Sequence, residues 1–464
     1  MSWLDRERTI APPGFNRWLV PPAALAVHLC IGQAYATSVY KTALVAHFGV
    51  SLTQIGLIFS IAIVMLGLSA AVMGTWVDTN GPRKAMFVSA LFWSGGFLIG
   101  SLGIFSGQLW LVYLGYGFIG GIGLGIGYIS PVSTLIKWFP DRPGLATGMA
   151  IMGFGGGALI ASPVSTALLS LYDPNSGAAG WVASGDAVGK LFLTLAVVYL
   201  AYMMFGAFTI RVPAADWKPA GFDPATVKAR PLVTSNHVSA ANAIKTRQFW
   251  LVWIVLFCNV TAGIGILEQA APMIQDFFRQ PGGTSQVSAV VAGGFVGLLS
   301  IANMGGRFAW SATSDKTGRR NIYMVYLGVG TALYLALALV GAGTTALYVV
   351  LAFVIISFYG GGFATAPAYL RDLFGTFQVG AIHGRLLTAW SAAGIAGPLI
   401  VNRFLDAQGA PGELTAQAYQ PALLTMVGLL VVGFVANLLV RPVHSTFHET
   451  AVPRSAVREP ALES

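Results

Sequence analysis

Arg307, Lys41 and Glu268 are the residues best placed to do chemistry, because each puts a charge into an otherwise apolar run. An ionisable side chain inside a membrane-length segment is costly, and its usual reason is function. Arg307 precedes Asp315 by eight residues, which sets it about 12 Å in from the end of its span at about 1.5 Å per residue. A guanidinium is always charged, and its planar fork matches a carboxylate. The apolar part of its own span offers no acid to neutralise it. The expected chemistry is capture of an anion; snorkelling to an interface, or pairing with an acid on another span, is the alternative. Glu268 lies eight residues before Asp276 and reads either as a proton carrier or as the partner of a distant cation. Lys41 falls near the far end of the first span, where snorkelling competes with a binding role. Tyr35, Tyr128, Tyr359, Phe363 and Trp390 could wall a cavity around a small planar anion, although such aromatics also pack plain helix faces. Gln33 could add a hydrogen bond from the first span. His28 reads as an interior histidine, and His383, beside Arg385, as an interfacial one.

The elements that hold these residues follow from composition. The chain has 464 residues, 55% hydrophobic and 9% charged, with a mean hydropathy of +0.71. Soluble domains carry about a quarter charged residues, so the main solvent of this chain is lipid. A span needs about 20 apolar residues. Stretches of that kind lie at 18–46, 53–77, 84–106, 109–136, 143–170 and 189–211, and again at 249–275, 285–309, 321–342, 346–370, 380–405 and 419–440. The expected fold is all-α and polytopic: a segment 1–17, a six-helix bundle 18–211, a linker 212–248, a second bundle 249–441 and a tail 442–464. The linker carries Pro213, Pro219, Pro224 and Pro231 and no sustained apolar period. The first apolar run lacks a small-residue cleavage site and is expected to remain as a span.

The net charge of +9 does not point to nucleic acid, because the cations are sorted by face. Loops on one side hold Arg17, Arg83, Lys84, Lys137, Arg142, Lys316, Arg319, Arg320, Arg371 and Arg385, and the linker and termini add more. The other side has Lys190, Arg279 and Arg403. The basic side is expected to be cytoplasmic, with both termini there, in an inner (plasma) membrane. Glycines crowd the fourth span from Gly115 to Gly127, but no strand precedes them, so they read as helix-packing positions rather than a dinucleotide loop. Cys30 and Cys258 lie in apolar runs and read as packed residues. No phosphate loop, paired-cysteine ligand set or H-E-x-x-H is present in the sequence. An enzyme, a cofactor and a metal are therefore not expected.

The two halves repeat. The loop after the second span holds Gly74, Asp78, Gly81 and Arg83, and the loop after the eighth holds Asp315, Gly318 and Arg320, both in the pattern D-x-x-G-x-R. On this loop the chain resembles the major facilitator superfamily, whose signature is G-x-x-x-D-x-x-G-x-R. The resemblance implies two pseudo-symmetric six-helix bundles, a central cavity and alternating access. It also implies that Asp78, Arg83, Asp315 and Arg320 help keep the cytoplasmic side closed. More finely, segments 138–148, 259–263, 359–367 and 383–390 are similar to the oxalate/formate antiporter family and the related monocarboxylate transporters. That likeness implies transport of oxalate, formate, lactate or pyruvate, by exchange or with a proton, and puts the essential arginine of the eighth helix on Arg307 and the lysine of the first on Lys41. Two positions depart from the patterns. Trp390 stands where oxalate carriers keep a lysine, and Asn303 stands where monocarboxylate carriers keep an aspartate. A carrier of small monocarboxylates, acting as a monomer, is the expectation. Oxalate/formate exchange is the alternative, and a transport-inactive membrane sensor is the alternative of another class.

Overall fold

A computed structural model describes residues 3–173, 175, 182–214, 217–222, 232–234, 236–279, 285–287, 289–409 and 414–449. Helices dominate it because lipid leaves no other way to satisfy a crossing backbone. Eleven helices of the described residues are long and apolar enough to cross a membrane, and Ala289–Thr317, 29 residues, has the length of a further span. In chain order, α1 comprises Val20–Ile31, a 3-10 stretch Gly32–Ala36 and Ser38–Phe48. Next come α2 Leu52–Asn80, α3 Pro82–Phe105, α4 Leu109–Trp138, α5 Pro143–Tyr172 and α6 Gly185–Thr209. The second half has α7 Arg247–Glu268, α8 Ala289–Thr317, α9 Arg319–Val340 and α10 Thr345–Phe374. It ends with α11, Val379–Leu386 then Thr388–Asp406, and α12 Ala416–Leu438.

Local chemistry sets the ends. Ser51 and Gln54 form a capping box at the start of α2, and Thr246 and Thr344 cap α7 and α10 through their side chains. Pro82 and Pro143 occupy first-turn positions of α3 and α5, where the missing N–H does no harm. Gly81 and Gly318 both take positive φ, 85° and 87°, so the repeated loop turns on a glycine in each half. Large apolar side chains such as Leu102, Val197, Val350 and Val432 are exposed, as on a surface facing lipid.

The halves meet along α5 against α8 and α2 against α11. Small residues make this possible. A Cβ on Gly148 would stand 2.9 Å from the Arg307 carbonyl, and one on Gly67 would collide with Ser391. The crowded α4 glycines pack as expected: Gly123 lies against the backbone of Trp93 on α3, and Gly121 against Ala62 on α2.

Several spans are broken where the sequence suggested continuous runs. α1 narrows to the 3-10 stretch, α4 contains a π segment Tyr113–Gly120, and α11 breaks at Leu387. The seventh run, 249–275, breaks at Gln269 into α7 and a short helix Ala270–Phe277. Interrupted helices free backbone groups and re-aim side chains near a cavity, and Tyr35, Glu268 and Trp390 all lie within three residues of such a break. The tail returns to the linker: the Glu449 N–H donates to His237 O at 2.8 Å, and its carboxylate accepts from Ser239 N and Asn242 Nδ2, each at 3.2 Å. Tail residues 450–464 lie outside the described residues.

Candidate functional site

Arg307 is fully buried where α8 of the second half packs against α5 of the first. α8 carries it, and glycine on α5 gives it room: a Cβ on Gly155 would lie 2.8 Å from its Nε. Its Nε donates to Asn303 Oδ1 at 2.9 Å, one turn back on the same helix, and Nη1 makes a long 3.5 Å contact with Ile151 O on α5. The guanidinium lies 5.6 Å from the Phe154 ring and 5.1 Å from the Phe363 ring, one from each half. These aromatic faces attract the cation without neutralising it. No ion pair to Arg307 occurs among the described residues.

The surrounding box is aromatic. Trp390 packs on Phe363 at 4.3 Å between centroids and on Tyr128 and Phe154 at 5.3 Å each. Tyr35 of α1 and Tyr359 of α10 close the box through a 2.7 Å hydroxyl–hydroxyl bond between the halves. Three buried polar atoms here, Arg307 Nη2, Tyr128 Oη and Trp390 Nε1, make no hydrogen bond of regular geometry, although the Tyr128 hydroxyl lies within bonding reach of the Arg307 guanidinium. All three can donate, and two can only donate. Buried polar groups are normally paired, so the box is chemically matched to a species rich in acceptors.

A cleft of about 850 Å³, its open mouth included, reaches toward this box from the end opposite the basic face. Tyr35 and Asn303 line it, as do Lys41 and Glu268. The Lys41 ammonium pairs with Glu268 Oε1 at 3.3 Å, joining α1 to α7 across the halves, with the side chains 21% and 12% exposed. Glu268 Oε2 has no partner. The sequence alternatives for both residues are thereby narrowed: Lys41 faces the cleft, and the distant cation beside Glu268 is Lys41.

On the basic face the halves are held by two matching devices. The Asp315 carboxylate accepts from Gly144 N at 2.9 Å and Leu145 N at 3.0 Å, capping the start of α5 in the opposite half. Asp78 does the same at the start of α11: it accepts from the Ala381 backbone, and a Cβ on Gly380 would stand 2.9 Å from either carboxylate oxygen. Negative charge at a helix N-terminus is favourable by both dipole and hydrogen bonds. Arg371 adds a further crossing bond to Pro140 O at 3.2 Å.

Several sequence expectations need correction. Arg83 does not cross between halves; it donates to Trp3 O in the N-terminal segment and to Phe208 O in its own bundle. Arg320 does not cross between halves either; it donates to Leu438 O on α12, while neighbouring Arg319 pairs with Asp315 at 2.6 Å. One residue of helix rotates a side chain by about 100°, which decides between adjacent arginines. Gln33 is not available to cargo, because its amide is used at both ends inside the first bundle, by Tyr40 at 2.9 Å and Tyr116 at 3.1 Å. His383 is buried beside Tyr128 instead of interfacial. His28 is interior as expected, its ring bonded to Ala150 O and Tyr128 O. Phe154 was missed. Its only sequence signal is that it stands alone among Gly153, Gly155, Gly156 and Gly157, a run that reads as packing.

Comparison with known proteins fits this arrangement. The chain is 27% identical to the oxalate:formate antiporter of Oxalobacter formigenes over 386 residues, 82% of this chain and 83% of the relative. It is 27% identical to the apicoplast pyruvate carrier 1 of Toxoplasma gondii, over 67% of this chain and 62% of that one. The crystal structure of the transporter FucP in its outward conformation superposes with a TM-score of 0.65 at 15% identity, covering 92% of this chain and all of the other. The profile of the Major Facilitator Superfamily matches residues 23–398. With two helical halves meeting over a buried aromatic box and joined on the basic face by the repeated loop aspartates, the chain belongs to the Major Facilitator Superfamily of secondary transporters.

Proposed function

We propose that this transporter carries small monocarboxylate anions, with Arg307 as their anchor. The observation that carries the reading is the fully buried guanidinium without an acidic partner, in a box whose other polar atoms lacking a regular hydrogen bond are also donors. A charge buried at low dielectric is costly unless it is neutralised, and a carboxylate supplies both the charge and the acceptors. One cation balances one negative charge. Lys41 is already matched by Glu268, which favours a monoanion over a dianion. The relatives support a carboxylate, since one is named for oxalate and formate and another for pyruvate. Oxalate/formate exchange is the second reading, favoured by the length of the match to the Oxalobacter protein.

Transport proceeds by alternating access. The basic face is cytoplasmic, and the aspartate caps on α5 and α11 close it while the cleft opposite admits the anion. Entry to Arg307 requires the Tyr35–Tyr359 bond to open. The test is counterflow by purified carrier in liposomes against formate, acetate, lactate, pyruvate and oxalate. Arg307→Ala should abolish exchange while the protein still inserts and folds. Arg307→Lys should retain at most a few per cent, since it keeps the charge and loses the planar fork. Near wild-type exchange by the alanine variant would remove Arg307 from the site, and wild-type counterflow of none of the five anions would end the carboxylate reading.

A further inference from the structure

Among the described residues, Lys41 and Glu268 form the only ion pair that joins the two halves; every other ion pair stays on one side of the linker. Each partner is mounted firmly in its own half. Lys41 follows Tyr40, whose hydroxyl accepts from Gln33 at 2.9 Å and whose ring packs on Phe192 of α6 at 5.2 Å between centroids. Glu268 is the last residue of α7 before the break. Just beyond it Gln269 donates to Asn402 Oδ1 on α11 at 2.6 Å, and Asp276 of the short helix accepts from Tyr419 Oη on α12 at 2.7 Å. With both mounts held this way, the gap between ammonium and carboxylate follows how far apart the halves stand at this end. The bond is also suited to breaking. It is a single 3.3 Å contact, its side chains are 21% and 12% exposed in the cleft, and Glu268 Oε2 has no partner. Water can solvate both charges when the halves part, so the pair is a weak one.

We propose that Lys41 and Glu268 are a latch on the cleft side, made as the halves close there and broken as the cleft opens wide. The latch opposes the aspartate caps, which hold the basic face. It assigns the two charges to each other, and so departs from the cargo-binding role that the resemblance implies for Lys41 and from the proton-carrying alternative for Glu268. Loss of either charge shifts the population toward the state with the cleft open and the basic face closed. The inference is independent of the anion carried, because the positions of the halves can be read without cargo.

Two cysteine reporters test it. Ser300 lines the cleft, and Thr147 lies fully buried beneath the basic-face contact. Purified carrier with cysteine at one position or the other is labelled with maleimide in detergent, where the reagent reaches both faces. Lys41→Met or Glu268→Gln should speed labelling of Ser300→Cys by about threefold, the scale of a partly exposed ion pair. The same variants should slow labelling of Thr147→Cys, because opening at one end closes the other. The charge swap, Lys41→Glu together with Glu268→Lys, rebuilds the pair with its signs exchanged and should return both rates to within about 1.5-fold of the wild type. A general loosening of the bundle would speed both reporters, and that result overturns the latch. Unchanged rates in the single variants overturn it as well, as do rates that stay shifted in a swapped carrier that inserts. Where the swapped carrier fails to insert, the opposed shifts in the single variants decide.

Discussion

Removing the Asp315 carboxylate should open the basic face by an amount the structure allows to be worked out. Three short contacts of Asp315 bear on this, and they do not count equally. Its 2.6 Å pair with Arg319 joins α8 to α9 in the same half, so it exists whichever way the halves rock and cancels from the equilibrium. The bonds from Gly144 N and Leu145 N, 2.9 and 3.0 Å, cross between halves and are lost on opening. Charge-assisted bonds contribute about 1.5–3 kcal/mol each. The carboxylate is 19% exposed, and water replaces both partners after opening, so we take about 1.5 kcal/mol in total, roughly tenfold in the ratio of closed to open. Asp315→Ala should show the whole shift and Asp315→Asn about half of it, because an amide oxygen still accepts. Thr147 lies beneath this contact, fully buried and bonded to Ser311 at 3.2 Å. A cysteine placed there should react with a membrane-impermeant maleimide about tenfold faster from the basic side when Asp315 is alanine. Asp78→Asn should act in the same direction through α11. An unchanged alkylation rate, with transport lost through weakened equilibrium binding instead, would refute the gate and make Asp315 a structural residue.

Glu268→Gln should abolish pH-driven accumulation yet keep exchange of labelled for unlabelled substrate, if Glu268 is the proton carrier; accumulation that survives in proteoliposomes with an imposed pH gradient would return Glu268 to the role of counter-ion for Lys41. Oxalate should exchange poorly in the wild type, because Arg307 is the single unmatched cation of the described box and Lys41 is held by Glu268. Trp390→Lys should shift preference toward oxalate in labelled counterflow, whereas a wild type that prefers oxalate by about tenfold, about 1.4 kcal/mol, would overturn the monoanion argument.

Arg307 was legible because lipid makes a lone cation conspicuous, and the loop aspartates were legible because they occur twice at the same place in a six-helix unit. Phe154 and Arg319 were not, for a common reason. An apolar span with glycines on several sides has little amphipathic signal, so hydropathy gives its length and not its rotation about its own axis. Nothing local distinguishes Arg319 from Arg320, or tells that Gln33 turns to Tyr40 and Tyr116.

The sequence by itself determined the class of solvent, the two-bundle repeat, the sorting of cations to one face and the presence of a buried arginine, since each follows from composition and spacing along one chain. The tertiary structure decided what those residues meet: that Lys41 pairs with Glu268 from 227 positions away, that Asp315 and Asp78 cap helices of the opposite half, and that Trp390, Tyr128 and Arg307 share one box. Such pairings depend on how helices rotate, break and approach at glycines, and packing between distant segments settles that where local propensity cannot.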